Sequence, residues 1–183
     1  MRPLFTVHAG EYLVGSHIEQ NYKKVIVWIP SLDTGVDLML SDPKGRSTVS
    51  IQVKFSKDFL PDMKPEFRDP LRVCSYFTIN RHKRSPSQAD FWVFVLRGFK
   101  SHSNDFVIVP TGELRWRLSR IHKSKAKIIH SYLWVTESKR CWEARGLKVA
   151  DRRKIAKDLY KDRFRDFTKW LNDWSPVLKK LRA

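Results

Sequence analysis

Hydrophobic positions change period twice along the first third of the chain. Val7, Val14 and Ile18 recur at helical spacing and predict a helix over residues 7–20. Glu11 falls on the same stripe, where an apolar residue is expected. Residues 24–29 then read as a strand closed by Pro30, residues 31–35 as a turn and residues 36–41 as a second strand. Asp42-Pro43-Lys44-Gly45 is a turn signal between two apolar runs. Residues 48–55 alternate cleanly, with Val49, Ile51, Val53 and Phe55 on one face and Ser50, Gln52 and Lys54 on the other.

Residues 56–88 carry four prolines and many basic residues, and they show no clear period. A short strand at residues 74–79 fits. Residues 91–96 and 106–109 are apolar enough for central strands. A helix opens near Thr111, with Thr111 as its expected N-cap, and residues 131–136 suit a further strand. Tyr160, Phe164, Phe167, Leu171 and Trp174 recur at helical spacing, which predicts a basic amphipathic helix over residues 151–172. The order of elements points to an α/β fold, with a mixed central sheet flanked by helices. A chain of 183 residues suits one domain.

Charge sharpens this picture. Thirty-six Lys and Arg against 19 Asp and Glu leave a net charge of +17, spread along the whole chain. Such an excess strains a compact fold unless a polyanion shares the surface, and nucleic acid is the first candidate. Two cysteines, Cys74 and Cys141, have no zinc-like spacing, and the six histidines show no metal-ligand spacing. Reduced, partly buried thiols are expected. No stretch reaches the ~18 apolar residues of a membrane span. The N-terminus lacks an apolar signal core, so a cytoplasmic protein with no membrane partner is expected.

Four residues carry candidate chemistry: Glu11, Asp37, Gln52 and Lys54. Phosphodiester hydrolysis needs a metal ion to orient water and neutralise phosphate charge. Magnesium takes hard oxygen ligands and keeps several waters. Asp37 offers a carboxylate, Gln52 an amide oxygen and Val53 a backbone carbonyl. Glu11 could reach the ion directly or through water, and Lys54 shares a strand face with Gln52. Each residue also has a plainer explanation. Gln52 and Lys54 suit the solvent face of a strand, Asp37 a turn, and Glu11 the dipole at a helix start.

Glu11 in a first helix, Asp37 after Gly35, and Gln52-Val53-Lys54 in the next strand resemble the PD-(D/E)XK, or restriction-endonuclease-like, nucleases. The match covers about residues 7–110, with residues 111–183 as a C-terminal extension packing on the sheet. The resemblance implies an αβββαβ core and Mg²⁺-dependent cleavage of double-stranded DNA, with Mn²⁺ able to replace Mg²⁺. It implies Asp37 as central metal ligand, Gln52 in the usual acidic position, Lys54 as catalytic lysine and Glu11 as the first-helix acid. Gln52 departs from the usual Asp or Glu, which raises the alternative of an inactive nuclease fold that binds DNA or RNA. Lys57, Arg68 and Arg72, and the cluster Arg81, Lys83 and Arg84, are candidate phosphate contacts. A homodimer is expected by analogy alone.

Overall fold

The computed structural model describes residues 9–31, 35–80, 89–99, 103–122 and 127–182. Helix α1 (Ala9–Asn21) leads into a meander of β1 (Ile26–Trp28), β2 (Leu38–Ser41) and β3 (Thr48–Lys57). A 3₁₀ turn, a one-turn helix α2 (Pro65–Arg68) and a long strand β4 (Leu71–Asn80) follow. Next come β5 (Phe91–Arg97), β6 (Asn104–Pro110), α3 (Thr111–Ile121), β7 (Ile128–Thr136) and β8 (Cys141–Glu143). Helices α4 (Val149–Ala156) and α5 (Ser175–Arg182), with a 3₁₀ turn between them, end the chain.

The fold is α/β. Its central sheet runs β1-β2-β3-β5-β6, and a second sheet runs β4-β7-β8. The β1-β2-β3 meander is antiparallel, β3 and β5 are parallel, and β6 returns antiparallel to β5. Strand β3 therefore has an antiparallel neighbour on one side and a parallel one on the other. Parallel pairing demands a crossover. Its described part carries α2 and β4, and no long helix.

Both faces of the central sheet are buried, in different ways. On one face, Val49, Ile51 and Val53 pack with Val93, Val95 and Ile108 under Val14 and Ile18 of α1 and Val177 and Leu181 of α5. On the other, Trp92, Phe94 and Val107 meet Phe77, Ile129 and Leu133 of the second sheet, joined by Leu114 and Leu118 of α3. Helices were expected on both sides. A sheet covers most of the second face instead, with Val73, Phe77 and Ile79 of β4 and Ile129, Leu133 and Val135 of β7 supplying its apolar face.

The helix expected at residues 151–172 is not formed. Helix α4 stops at Ala156, and Asp158 and Asn172 take left-handed φ values of 55° and 56°. Between them, Asp162 Oδ1 accepts the N–H groups of Phe164 (2.8 Å) and Arg165 (3.2 Å). The buried guanidinium of Arg117 collects the carbonyls of Arg163, Phe164 and Asp166. The helically spaced aromatics serve three separate cores. Tyr160 packs near Trp142, Phe167 joins the inter-sheet core, and Trp174 lies under α1. Thr111 is likewise the first helical residue and not the cap, which is Pro110. Its hydroxyl donates to the Ala89 carbonyl.

Candidate active site

The β2–β3 ladder ends at the Leu38–Ile51 pair. Gly35, at a φ of 83° that disfavours other residues, turns the chain into this point. Asp37 then holds β3 twice. Its N–H donates to the Ile51 carbonyl (2.9 Å), and its Oδ2 accepts the Val53 N–H (2.6 Å). The carboxylate thus replaces the carbonyl that a continuing strand would have offered. Within an extended strand, the N–H and C=O of one residue point the same way. The Val53 carbonyl therefore faces the same split between strands as its N–H.

Gln52 lies beside Trp92 in the parallel register and is 8% exposed. An amphipathic strand alone would have left it in water. The second sheet and its neighbours bury this face instead. Lys54, half-buried, follows on the same face with its Nζ 5.8 Å from the centre of the Trp92 ring. The indole face favours a cation electrostatically and steadies the ammonium next to Gln52. Asp37, Gln52, the Val53 carbonyl and Lys54 are therefore gathered along one short stretch of β3.

Helix α1, which carries Glu11, crosses that stretch on the sheet's other face. A Cβ on Gly10 would lie 2.8 Å from Cβ of Phe55 and 3.0 Å from Cγ1 of Val53, so only glycine allows α1 to sit this close. Glu11, the next residue, is half-buried. Gln52 and Lys54 stand on the opposite face of the sheet, so α1 does not bring Glu11 to the face that carries them. Val7, the first residue of the expected helical stripe, lies outside the described residues.

The proposed metal donors are two carboxylates, an amide oxygen and a peptide carbonyl, all hard oxygens of the kind magnesium accepts. A carboxylate has about four lone-pair sites, so the bond from Val53 does not exhaust Asp37. Among the described residues, no group of three or more His, Cys, Asp or Glu side chains is gathered to hold a metal ion.

The basic candidates divide. Lys57, at the end of β3, and Arg68, at the end of α2, are exposed. Arg72 is engaged: its Nε donates to Asp105 (2.9 Å) and its Nη2 to Ser103 (2.7 Å), tying β4 to the start of β6. Arg81, Lys83 and Arg84 lie outside the described residues. No described helix is long and apolar enough to cross a membrane.

Sequence patterns missed several polar anchors around the site. Asp90 accepts the Ser50 N–H (2.9 Å), the Ser50 hydroxyl and the Lys180 ammonium, fixing β5 and α5 to β3. Burial pushes its carboxyl up, but these bonds outweigh burial and hold the pKa below the ordinary value. Asp58, buried just past Lys57, accepts the N–H groups of Leu60 (2.8 Å) and Cys74 (2.9 Å), joining the end of β3 to β4. Apart from Leu60, their partners lie 16 to 90 residues away in the chain, which leaves little local signal. Both cysteines are buried, and burial raises their thiols well above the ordinary value, so they are inert. Comparison of the chain with protein-family models, with curated proteins and with solved structures finds no match.

Proposed function

We propose that the chain is a metal-dependent DNA endonuclease of the PD-(D/E)XK type. The observation that carries this reading is the meeting of Asp37 with Gln52-Val53-Lys54 where β2 parts from β3. The strand order supports it as well, since the antiparallel β1-β2-β3 meander is followed by β5 parallel to β3. When bound, Mg²⁺ neutralises phosphate charge and activates a water, and Asp37, Gln52, the Val53 carbonyl and Glu11 would hold it. Hydrolysis adds hydroxide from water to phosphorus and leaves a proton for the departing sugar oxygen. The Lys54 ammonium meets the negative charge that builds on the phosphoryl oxygens. Lys57 and Arg68 offer contacts to the DNA backbone, so affinity falls steeply with salt.

Plasmid nicking tests the reading, with Mg²⁺, Mn²⁺ or EDTA. Nicking that needs metal and is lost in Lys54→Ala supports it. Tight binding without cleavage under either metal overturns it. That outcome would favour the second reading, an inactive nuclease fold that holds DNA or RNA. The neutral Gln52 and the carboxylate bond to Val53 are the observations behind that alternative.

A further inference from the structure

The second sheet turns part of one face to solvent, and that part is aromatic. Tyr76 and Tyr132 stand opposite each other in the β4–β7 ladder, and His130 is two residues along β7. Tyr76 is 39% exposed, His130 is exposed and Tyr132 half-buried. With Phe59 and Arg145 they line an open cavity of 340 Å³.

The ring planes of Tyr76 and His130 are parallel within 9°, with centroids 5.8 Å apart. The Tyr76 hydroxyl is hydrogen-bonded to His130 Nδ1. Those two atoms lie in the two ring planes. A hydrogen bond of about 2.8 Å is shorter than the 3.5–4.0 Å at which carbons pack, so the rings cannot be stacked on one another. They lie edge to edge and make one flat surface about two rings wide. Tyr132 packs at its side, 5.3 Å from Tyr76. Arg145 lies over the Tyr132 ring at 5.1 Å and donates to its hydroxyl at 2.9 Å. The Tyr76 N–H donates to Ser56 Oγ (3.2 Å), so β4 is tied to β3 two residues past Lys54.

We infer that this surface stacks an unpaired nucleobase from a single-stranded arm of DNA, with Arg145 drawing the adjoining phosphate. The inference rests on the nuclease reading and deepens it: the substrate is branched or frayed DNA, not a fully paired duplex. A paired base is stacked inside its helix and cannot reach a flat protein surface, whereas an unpaired one can. An aromatic cage for a cationic ligand would exclude a guanidinium, yet Arg145 lines this cavity. A nucleotide combines the two features present, a π-face and an anion, and the chain's charge of +17 suits it.

Fluorescence anisotropy in EDTA tests this without cleavage, using a forked duplex with an unpaired arm and a fully paired duplex. The unaltered chain should bind the fork more tightly. Tyr76→Ala should weaken fork binding by roughly tenfold, as loss of one stacked base does, and leave duplex binding within about twofold. Tyr76→Phe keeps the stacking ring but loses the bond to His130, and should retain most of the fork preference. A 2-aminopurine in the arm should be quenched by the unaltered chain and by Tyr76→Phe, but not by Tyr76→Ala. Equal effects of Tyr76→Ala on both DNAs, or no effect, overturn the inference. If the nuclease reading alone fails, the fork preference persists without cleavage. If this inference alone fails, cleavage persists without the preference.

Discussion

The carboxylate of Asp37 receives the Val53 N–H at 2.6 Å, so the residue proposed as central metal ligand also terminates a strand pair. The two roles separate by substitution. Asp37→Ala removes both and leaves a buried-strand amide without this acceptor, a loss of about 1–3 kcal/mol. For a chain of this size that lowers Tm by roughly 3–10 °C. Asp37→Asn keeps an acceptor oxygen and loses the charge. Its Tm should stay closer to that of the unaltered chain while metal-dependent nicking disappears. Calorimetry and plasmid nicking on both variants read the two effects. If Asp37→Asn nicks normally, strand termination is the residue's only role.

Gly10 sets how closely α1 approaches the site strand. Alanine is the better helix former by about 1 kcal/mol. Here its methyl would meet Phe55 Cβ and Val53 Cγ1, neither of them the loose end of a flexible side chain. Overpacking of this kind costs about 1–3 kcal/mol, so the clash outweighs the propensity. Gly10→Ala should lower the urea midpoint and, by moving α1 off β3, reduce nicking further than the stability loss accounts for. A raised midpoint would show that the helix can shift without penalty.

Gln52 stands buried beside Trp92 in a position where the proposed family has an acid. Gln52→Glu introduces a carboxylate that burial disfavours unless a cation neutralises it. In EDTA the variant should melt below the unaltered chain. With saturating Mg²⁺ the order should reverse: each tenfold gain in affinity adds about 1.4 kcal/mol, or roughly 3–4 °C. Thermal shift against metal concentration measures both. A variant whose melting ignores Mg²⁺ would place the ion elsewhere.

The meander and its turn were legible in the sequence because their signals are local. Alternation in β3, the Asp-Pro-Lys-Gly turn and the stripe of Val14 and Ile18 all lie within a few residues. The shared strand face of Gln52 and Lys54 was legible for the same reason. The burial of Gln52 was not, because Trp92 and the second sheet that enclose it come from later in the chain. The C-terminal aromatics misled because Tyr160, Phe167 and Trp174 serve three cores at spacings that imitate one helix. The long-range bonds of Arg117, the pairing of Arg165 and Phe167 with β8 and the local turn at Asp162 hold that segment irregular.

His17 couples stability to pH. Its ring lies 4.7 Å from Phe106 and 5.5 Å from Trp174, and burial lowers its pKa below the ordinary 6.5. The unfolded chain therefore takes up this proton at higher pH than the folded one. Stability from this residue is full above about pH 6.5 and declines as pH falls toward the folded pKa. His17→Phe should flatten that part of the profile. Urea unfolding at about pH 5.5 and 7.5 reads the difference, and equal slopes in both proteins would assign the pH dependence to other groups.

Asn172 has a consequence for how copies of the chain meet. Its N–H donates to the Phe106 carbonyl (2.6 Å), its side-chain oxygen accepts the Phe106 N–H (2.7 Å), and Leu171 bridges Val107. The outer border of β6 is thus already paired by the chain's own tail. The opposite border, β1, offers only three residues. A sheet with one margin occupied and the other this short gives a second molecule little to add a strand to. Strand addition at β6, the common route to fibrils and precipitates, is opposed over Phe106 and Val107 by Asn172, held in a left-handed turn, and by Leu171.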